Sequence, residues 1–263
     1  MRIGINATTQ LGRSDVAGFT QHALTAEADG FASYWIAEHP VGGFDALTAI
    51  AVIGQSVERM ELGTAIIPTY PRHPVVLAGQ ALTTQSAIRG HLSLGIGMSH
   101  QVMMADLGIH DDKPIRHLRE YLDALMPMIE SGHVDVRGQT ISAKADVIYP
   151  VSASPEVTVA ALGPQSLKVA GRLAAGTNLA WVGPKTIRSH IVPTISDAAA
   201  AVGRPAPRII ATLPICDTDD PGPARQRLTA NTSMYAQLPS YRAMFEREGM
   251  VETGDLAMIG SEA

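Results

Sequence analysis

The stretch LGTAIIPTYPRHPVV, residues 62–76, decides how this chain is read. It opens as a short apolar run with β-branched residues, the pattern of a buried strand. It then leaves through Pro68, Pro71 and Pro74, none of which can donate to a sheet ladder. Such a strand ends in a stiff exit able to frame a pocket. Arg72 and His73 in that exit are open to two readings, as ligands for an anion or as solvated side chains.

Similar runs lie on both sides: RIGIN (2–6), SYWIAE (33–38) and HLSLGIG (91–97), then VTVAAL (157–162), NLAWV (178–182) and RIIATLPI (208–215). The first four begin roughly 30 residues apart, the length of a strand, a crossover helix and two short loops, so they are expected to be parallel neighbours in an α/β sheet, open or closed. The clearest helix follows Asp111 and Asp112. It starts at Pro114 and carries Leu118, Tyr121, Leu122, Leu125 and Ile129 on one face. A second helix runs from about Pro164 to Ala175, with Leu167, Ala170 and Leu173 in its stripe and Gly176 as its stop. Residues 133–150 contain VDVRGQTIS, which alternates like a small hairpin and reads as an excursion from the main sheet. Residues 221–250 read as helical through Leu228, Met234, Tyr235 and Leu238, with Pro239 as an interruption, and the alanines at 198–201 as good helix formers. The sequence stops at IGSEA (259–263), where an eighth β/α unit is expected, so that unit is either missing or irregular.

With 263 residues, 46% hydrophobic and 17% charged, the chain is expected to form one globular domain over 1–263. A formal net charge of −5 and the lack of a lysine or arginine run argue against nucleic acid and anionic lipid as partners. Cys216 is the only cysteine, which excludes an intramolecular disulfide and a cysteine-based zinc site, fits a reducing compartment and reads as a small core residue. The opening MRIGIN has no signal-peptide pattern, and no stretch reaches the ~20 apolar residues of a membrane span, so the expected location is the cytoplasm.

Three motifs carry chemistry. GIGMSH (95–100) places G-x-G after a strand but has His100 where a dinucleotide fingerprint needs its third glycine. Gly95 and Gly97 instead let the backbone at a strand's carboxyl end approach a ligand, or simply make a tight turn. LGPQS (162–166) ends a strand in Gly163-Pro164, after which free helix N–H groups can hold a phosphate, although a helix start without an anion is equally compatible. His39 follows a strand at its carboxyl end beside Glu38, facing the mouth of a barrel if the sheet closes. None of the nine histidines has metal-ligand spacing, and there is no G-x-S-x-G elbow, P-loop or Cys–His pairing. By elimination the chemistry falls to a bound organic cofactor.

Taken together, YWIAEH (34–39), LGTAIIPTYPRHPVVLAGQALTTQ (62–85), HLSLGIGMSH (91–100), KPIRHLREYLDALMPM (113–128) and ALGPQSLKVAGRLAAGTNLAWVG (161–183) resemble the luciferase-like monooxygenase superfamily, in detail its branch that uses the deazaflavin coenzyme F420. The resemblance implies a TIM-like (β/α)8 barrel of bacterial-luciferase type, often dimeric, with a planar redox ring across the carboxyl-end mouth. It implies a non-prolyl cis peptide in the third strand, which by match joins Ala65 and Ile66. It puts His39 near the reactive edge of the ring as proton donor, acceptor or orienting group. Gly95, Gly97, Met98 and Ser99 match the turn lining the coenzyme tail, and Gly163, Pro164 and Gln165 match a phosphate-binding turn. Relatives commonly have Asp-Gly where this chain has Ala175-Gly176.

The implied function is hydride transfer between coenzyme F420 and a small organic substrate, in a homodimer without nucleic-acid, membrane or metal partners. The alternatives are an FMN-dependent monooxygenase of the same family and a non-catalytic flavin-binding homologue. Substrate identity lies in the strand-end loops, where relatives differ most.

Overall fold

A computed structural model describes residues 1–39, 42–110, 112–147 and 153–261. The chain divides into two compact units, Met1–Ala160 with Leu173–Ala175, and Ala161–Arg172 with Gly176–Ala263.

The first unit holds strands β1 (Gly4–Asn6), β2 (Ser33–Ile36), β3 (Glu61–Thr64), β4 (Ile67–Pro68), β5 (Leu92–Gly97), β6 (His133–Arg137), β7 (Ser142–Asp146) and β8 (Glu156–Val159). Helices α1 (Val16–Ala28), α2 (Ala46–Ile53), α3 (Pro74–Ala87), α4 (Gln101–Asp106) and α5 (Pro114–Glu130) connect them. In this unit the main sheet runs β1-β2-β3-β5-β8 with these neighbours parallel, as the strand spacing predicts. All four residues of β2 and all six of β5 are buried, as expected of parallel strands covered on both faces.

Helix starts follow from local chemistry. Asp15 accepts from the Gly18 N–H and Asp45 from the Thr48 N–H, while α3 and α5 begin at Pro74 and Pro114. Asp111, read as part of the cap before α5, lies outside the described residues. The predicted stripe of α5 is inside: Leu118, Tyr121, Leu122, Leu125 and Ile129 are all fully buried. At about 1.5–3 kcal/mol for each large apolar side chain, that face anchors the helix.

The run read as one strand at 62–68 is two. From Gly63 to Ile67 the chain takes four steps, whereas the facing Ser93 to Ile96 takes three, so one extra residue is accommodated as a β-bulge. The peptide bond between Ala65 and Ile66 is cis, as the resemblance implies. The bulge is held by the Ala65 N–H donating to Ile36 O at 2.8 Å, and by Glu38 N–H donating to Ile66 O at 3.3 Å. Thr64 Oγ1 donates to Gly95 O and accepts from Gly95 N–H, each at 2.8 Å.

The predicted hairpin is present as antiparallel β6 and β7; positions 148–150 of the excursion lie outside the described residues. Glu120 on α5 fastens its turn by accepting from Thr140 N–H and Oγ1, each at 2.7 Å, and from Ile141 N–H at 3.1 Å. Burial pushes this carboxyl up, but the hydrogen bonds outweigh it and hold the pKa at about 2.

The second unit contains α6 (Pro164–Leu173), β9 (Gly176–Ala180), α7 (Pro184–Thr186), a π-helical turn at Ile187–Ile191, α8 (Val192–Ala200), β10 (Arg208–Thr212), β11 (Ile215–Asp217), α9 (Pro221–Gln237), α10 (Pro239–Glu248) and β12 (Met258–Gly260). Here β9 pairs parallel with β10, and β11 pairs parallel with β12. Several readings are corrected. RIIATLPI divides at Leu213-Pro214, because Pro214 has no N–H for a ladder. Gly176 is the first residue of β9, opposite Arg208, not the stop of α6. Pro239 begins α10, where its missing donor costs nothing. The last described strand, β12, has three residues and pairs with the three-residue β11. Cys216 sits on β11 and is exposed, so it is not a core residue. Among the described residues no helix is long and apolar enough to cross a membrane.

Candidate active site

In the first unit the carboxyl ends of β2, β4 and β5 bring together His39, the Ala65–Ile66 bulge, Gly95, Gly97, Met98, Ser99 and His100. Ala65 and Ile66 are half-buried while Leu62, Gly63 and Thr64 before them are buried, so the bulge presents apolar surface at the strand end. The space beside Gly97 is taken by the protein. A Cβ there would lie 3.0 Å from Ile66 Cδ1 and 3.1 Å from Ala160 Cβ. This glycine lets Ile66 lie over β5, a closer meaning than the ligand approach its sequence suggests.

His39 lies three residues past the end of β2 and is half-buried. His100, at the start of α4, is its electrostatic neighbour: burial and then the charge on His39 push the His100 imidazole below its ordinary pKa and favour the neutral form. Between them in sequence, Ser99 has φ 63°, the left-handed region that a non-glycine residue occupies rarely and that gathers at functional sites.

Behind His39 lies a charged network. Arg72 binds Glu38 and Asp45, with its second bond to Glu38 Oε2 at 3.2 Å, and Glu38 Oε2 also accepts from Ala46 N–H at 3.0 Å. Burial raises the Asp45 pKa, but Thr48 and the Arg72 charge prevail and lower it. The Tyr121 hydroxyl donates to Arg72 O at 3.0 Å. Arg72 is therefore neither solvated nor available to an anion, and Glu38 is an anchor for the segment that carries His39. His73 accepts from Val75 N–H as the cap of α3.

A cavity of about 440 Å³ opens beside this cluster within the same unit, lined by Tyr70, Met98, Ser99, Met104, Ile109 and His110 among others. Tyr70 stacks on His117 with centroids 3.9 Å apart and planes at 14°, and the buried His117 Nε2 lies 3.0 Å from Thr69 Oγ1.

The second unit carries the other predicted turn. Gly163 precedes α6, and Pro164 and Gln165 are its exposed first residues. A Cβ on Gly163 would meet only Ser166 Oγ, at 3.8 Å, so this turn faces open space. His190, buried on the π-helical turn, lies 2.8 Å from Leu162 O and steadies the residue before it. Trp181, just past β9, has φ 58°.

Sequence reasoning missed the Glu38–Arg72–Asp45 network, His100 as a site residue, the Tyr70–His117 stack and Trp181. The available signal was position: Glu38, His100 and Trp181 each follow a strand at the end where α/β sites lie.

Parallel strands joined by helices, with a mixed apolar and imidazole cluster at their carboxyl ends, define an α/β protein with a candidate site at the strand ends. A family described as luciferase-like monooxygenase matches residues 1–259, and the chain belongs to it. It is similar to the F420-dependent glucose-6-phosphate dehydrogenase of Mycolicibacterium fortuitum, 27% identical over 234 residues that make up 82% of this chain and 68% of that one. The chain spans between 55% and 68% of the length of the curated relatives it matches. Among solved structures, the coenzyme F420-dependent tetrahydromethanopterin reductase of Methanopyrus kandleri has a TM-score of 0.76 at 21% identity, covering 95% of this chain and 75% of that one. An F420-dependent secondary alcohol dehydrogenase solved with an F420–acetone adduct has a TM-score of 0.77 at 16% identity, covering 100% and 86%. The fold class is thus α/β, the TIM-like barrel class of the luciferase-like family.

Proposed function

We propose that this protein is an oxidoreductase that transfers a hydride between coenzyme F420 and a small organic substrate. The observation that carries the reading is that His39 and His100 stand beside the half-buried apolar Ala65–Ile66 bulge at the carboxyl ends of the strands. The resemblance to a dehydrogenase that uses this coenzyme supports it.

The residues present suit a deazaflavin. Ala65 and Ile66 offer an apolar face, and Thr158 Oγ1, buried opposite Gly95 without a partner, offers a hydroxyl to a polar ring edge. Gly95, Gly97, Met98 and Ser99 would line the coenzyme, and in the second unit the open turn at Gly163, Pro164 and Gln165 is a candidate phosphate-binding turn. When bound, this coenzyme supplies a carbon that accepts or gives a hydride. His39 is the catalytic residue: its imidazole takes the proton from a substrate hydroxyl, or returns it to a carbonyl oxygen. His100 stands beside His39 and is favoured as neutral by burial. Arg72, Glu38 and Asp45 hold the backbone on which His39 stands.

We read the whole chain, 1–263, as one functional domain acting in the cytoplasm as a homodimer, without nucleic-acid or membrane partners. The net charge of −5 supports the last point, and exposed Val52 and Val76 on α2 and α3 offer apolar surface to a second copy. Light scattering that returns the single-chain mass of 27.8 kDa would overturn the dimer.

The function is tested by mixing the protein anaerobically with oxidised coenzyme F420 and a panel of alcohols, and following the visible absorbance of the deazaflavin. Substrate-dependent bleaching is expected. Oxygen consumption with reduced FMN instead would establish the monooxygenase chemistry, and tight coenzyme binding with no bleaching across the panel would leave a binding protein.

A further inference from the structure

We infer that His117 and Tyr121 of α5 are positioning residues for His39: together they clamp the turn at residues 69–72 and so fix the Arg72 guanidinium that holds Glu38. The inference rests on the oxidoreductase reading in taking His39 to be the reacting group.

The clamp has two arms. His117 and Tyr121 lie one helical turn apart on α5, so their side chains share one face of the helix. The turn they reach is closed by Arg72 N–H donating to Thr69 O at 3.3 Å. At its first residue, His117 Nε2 lies 3.0 Å from Thr69 Oγ1; at its last, the Tyr121 hydroxyl donates to Arg72 O at 3.0 Å. The His117 ring also stacks on Tyr70, a central residue of the turn, with centroids 3.9 Å apart. Arms on both ends stop the turn from sliding and from swivelling. Pro68 and Pro71 have fixed φ, so little of that constraint is lost along the segment. Thr69 N–H donates to Gly97 O at 2.9 Å, which ties the clamped turn to the end of β5.

Anchorage of the helix does not require these polar groups. Leu118, Leu122, Leu125 and Ile129 are already fully buried, whereas a buried imidazole or phenol costs free energy unless it is hydrogen-bonded. What His117 and Tyr121 add is location. The Arg72 guanidinium makes two bonds to Glu38 and one to Asp45, and a planar fork of this kind engages only where it is aligned. Glu38 accepts from Ala46 N–H at 3.0 Å and immediately precedes His39, so a shift at Arg72 is passed to the backbone that carries the imidazole. A reacting group displaced by about 1 Å can lose about 10²-fold in rate. Removing one arm leaves the other in place, and a loss of about ten-fold is expected.

The test compares Tyr121→Phe and Thr69→Val, each of which removes one arm, with Ile129→Val, which trims the last turn of the same helix. The whole chain, labelled at the histidine Cε1 carbons and free of coenzyme, is followed by NMR, with the His39 signal assigned by its loss in His39→Ala. A displaced His39 signal in both clamp variants and an unmoved one in Ile129→Val are expected. In the anaerobic coenzyme F420 assay the clamp variants should bleach the deazaflavin about ten-fold more slowly, with coenzyme affinity within about two-fold, while Ile129→Val keeps the rate of the unaltered protein. Should Tyr121→Phe fail to fold, Thr69→Val decides alone. A His39 signal that stays in place in the folded clamp variants, or moves as far in Ile129→Val, overturns the inference. Bleaching by the clamp variants as fast as by the unaltered protein overturns it as well. A His39 signal displaced by the clamp variants, in a protein that bleaches the coenzyme in none of its forms, removes the oxidoreductase reading alone.

Discussion

Gly97 and Gly163 both stand near a strand's carboxyl end, and in sequence both read as places where backbone could approach a ligand. The structure separates them. The missing side chain of Gly97 is occupied by Ile66 and Ala160, whereas that of Gly163 has only Ser166 Oγ near it, at 3.8 Å. One glycine is a packing device for the bulge in the first unit; the other leaves a helix start uncovered in the second. The region around Gly97 is thus built by side chains that fill the glycine's empty position, whereas the turn at Gly163, held by Ser166 Oγ donating to Gly163 O at 2.9 Å, leaves that position open.

That contrast predicts a graded response to mutation. The largest effect belongs to Arg72→Met, which strands two carboxylates behind His39; a loss of about 3–5 kcal/mol in urea unfolding is expected, with Arg72→Lys recovering part of it. An unchanged midpoint would show that the mouth does not depend on this network. His39→Ala should slow hydride transfer about 10²-fold or more while coenzyme affinity stays within a few-fold, measured by stopped-flow bleaching and by titration. Equal turnover would reduce His39 to a wall residue.

Gly97→Ala forces a methyl against Ile66 and should cost about 1–3 kcal/mol, whereas Gly163→Ala should stay within about 0.5 kcal/mol. Similar losses at both positions would erase the distinction drawn between them.

A smaller effect concerns the hairpin. The Glu120 carboxyl has its pKa depressed from 4.5 to about 2, so its contribution is complete above pH 4.5 and is lost as pH falls from there toward 2. Glu120→Gln should therefore be less stable at pH 7 by about 1–2 kcal/mol and show less pH dependence across that window. An acid titration followed by circular dichroism checks both the sign and the window.

Much of the architecture could be read in advance because parallel strands buried on both faces leave uninterrupted apolar runs, and β2, β5 and α5 lie where those runs put them. What stayed hidden depends on partners distant in sequence. Arg72 meets Glu38 and Asp45 across 34 and 27 positions, a pairing that no local pattern encodes. His100 was read only as a failed third glycine, since its neighbour His39 becomes a neighbour through the sheet. The bulge came from resemblance rather than from the residues, because LGTAIIP satisfies the pattern of a continuous strand. The split at Pro214 was legible and was passed over in favour of the apolar run around it.

The Thr64 hydroxyl, giving and receiving one hydrogen bond with the same residue, substitutes for a rung that the detour at Ala65 and Ile66 removes. A side chain acting as a splice lets the main chain step aside without leaving raw amide edges in the interior. Serine could keep the seam closed there, whereas valine, of nearly identical outline, would open it.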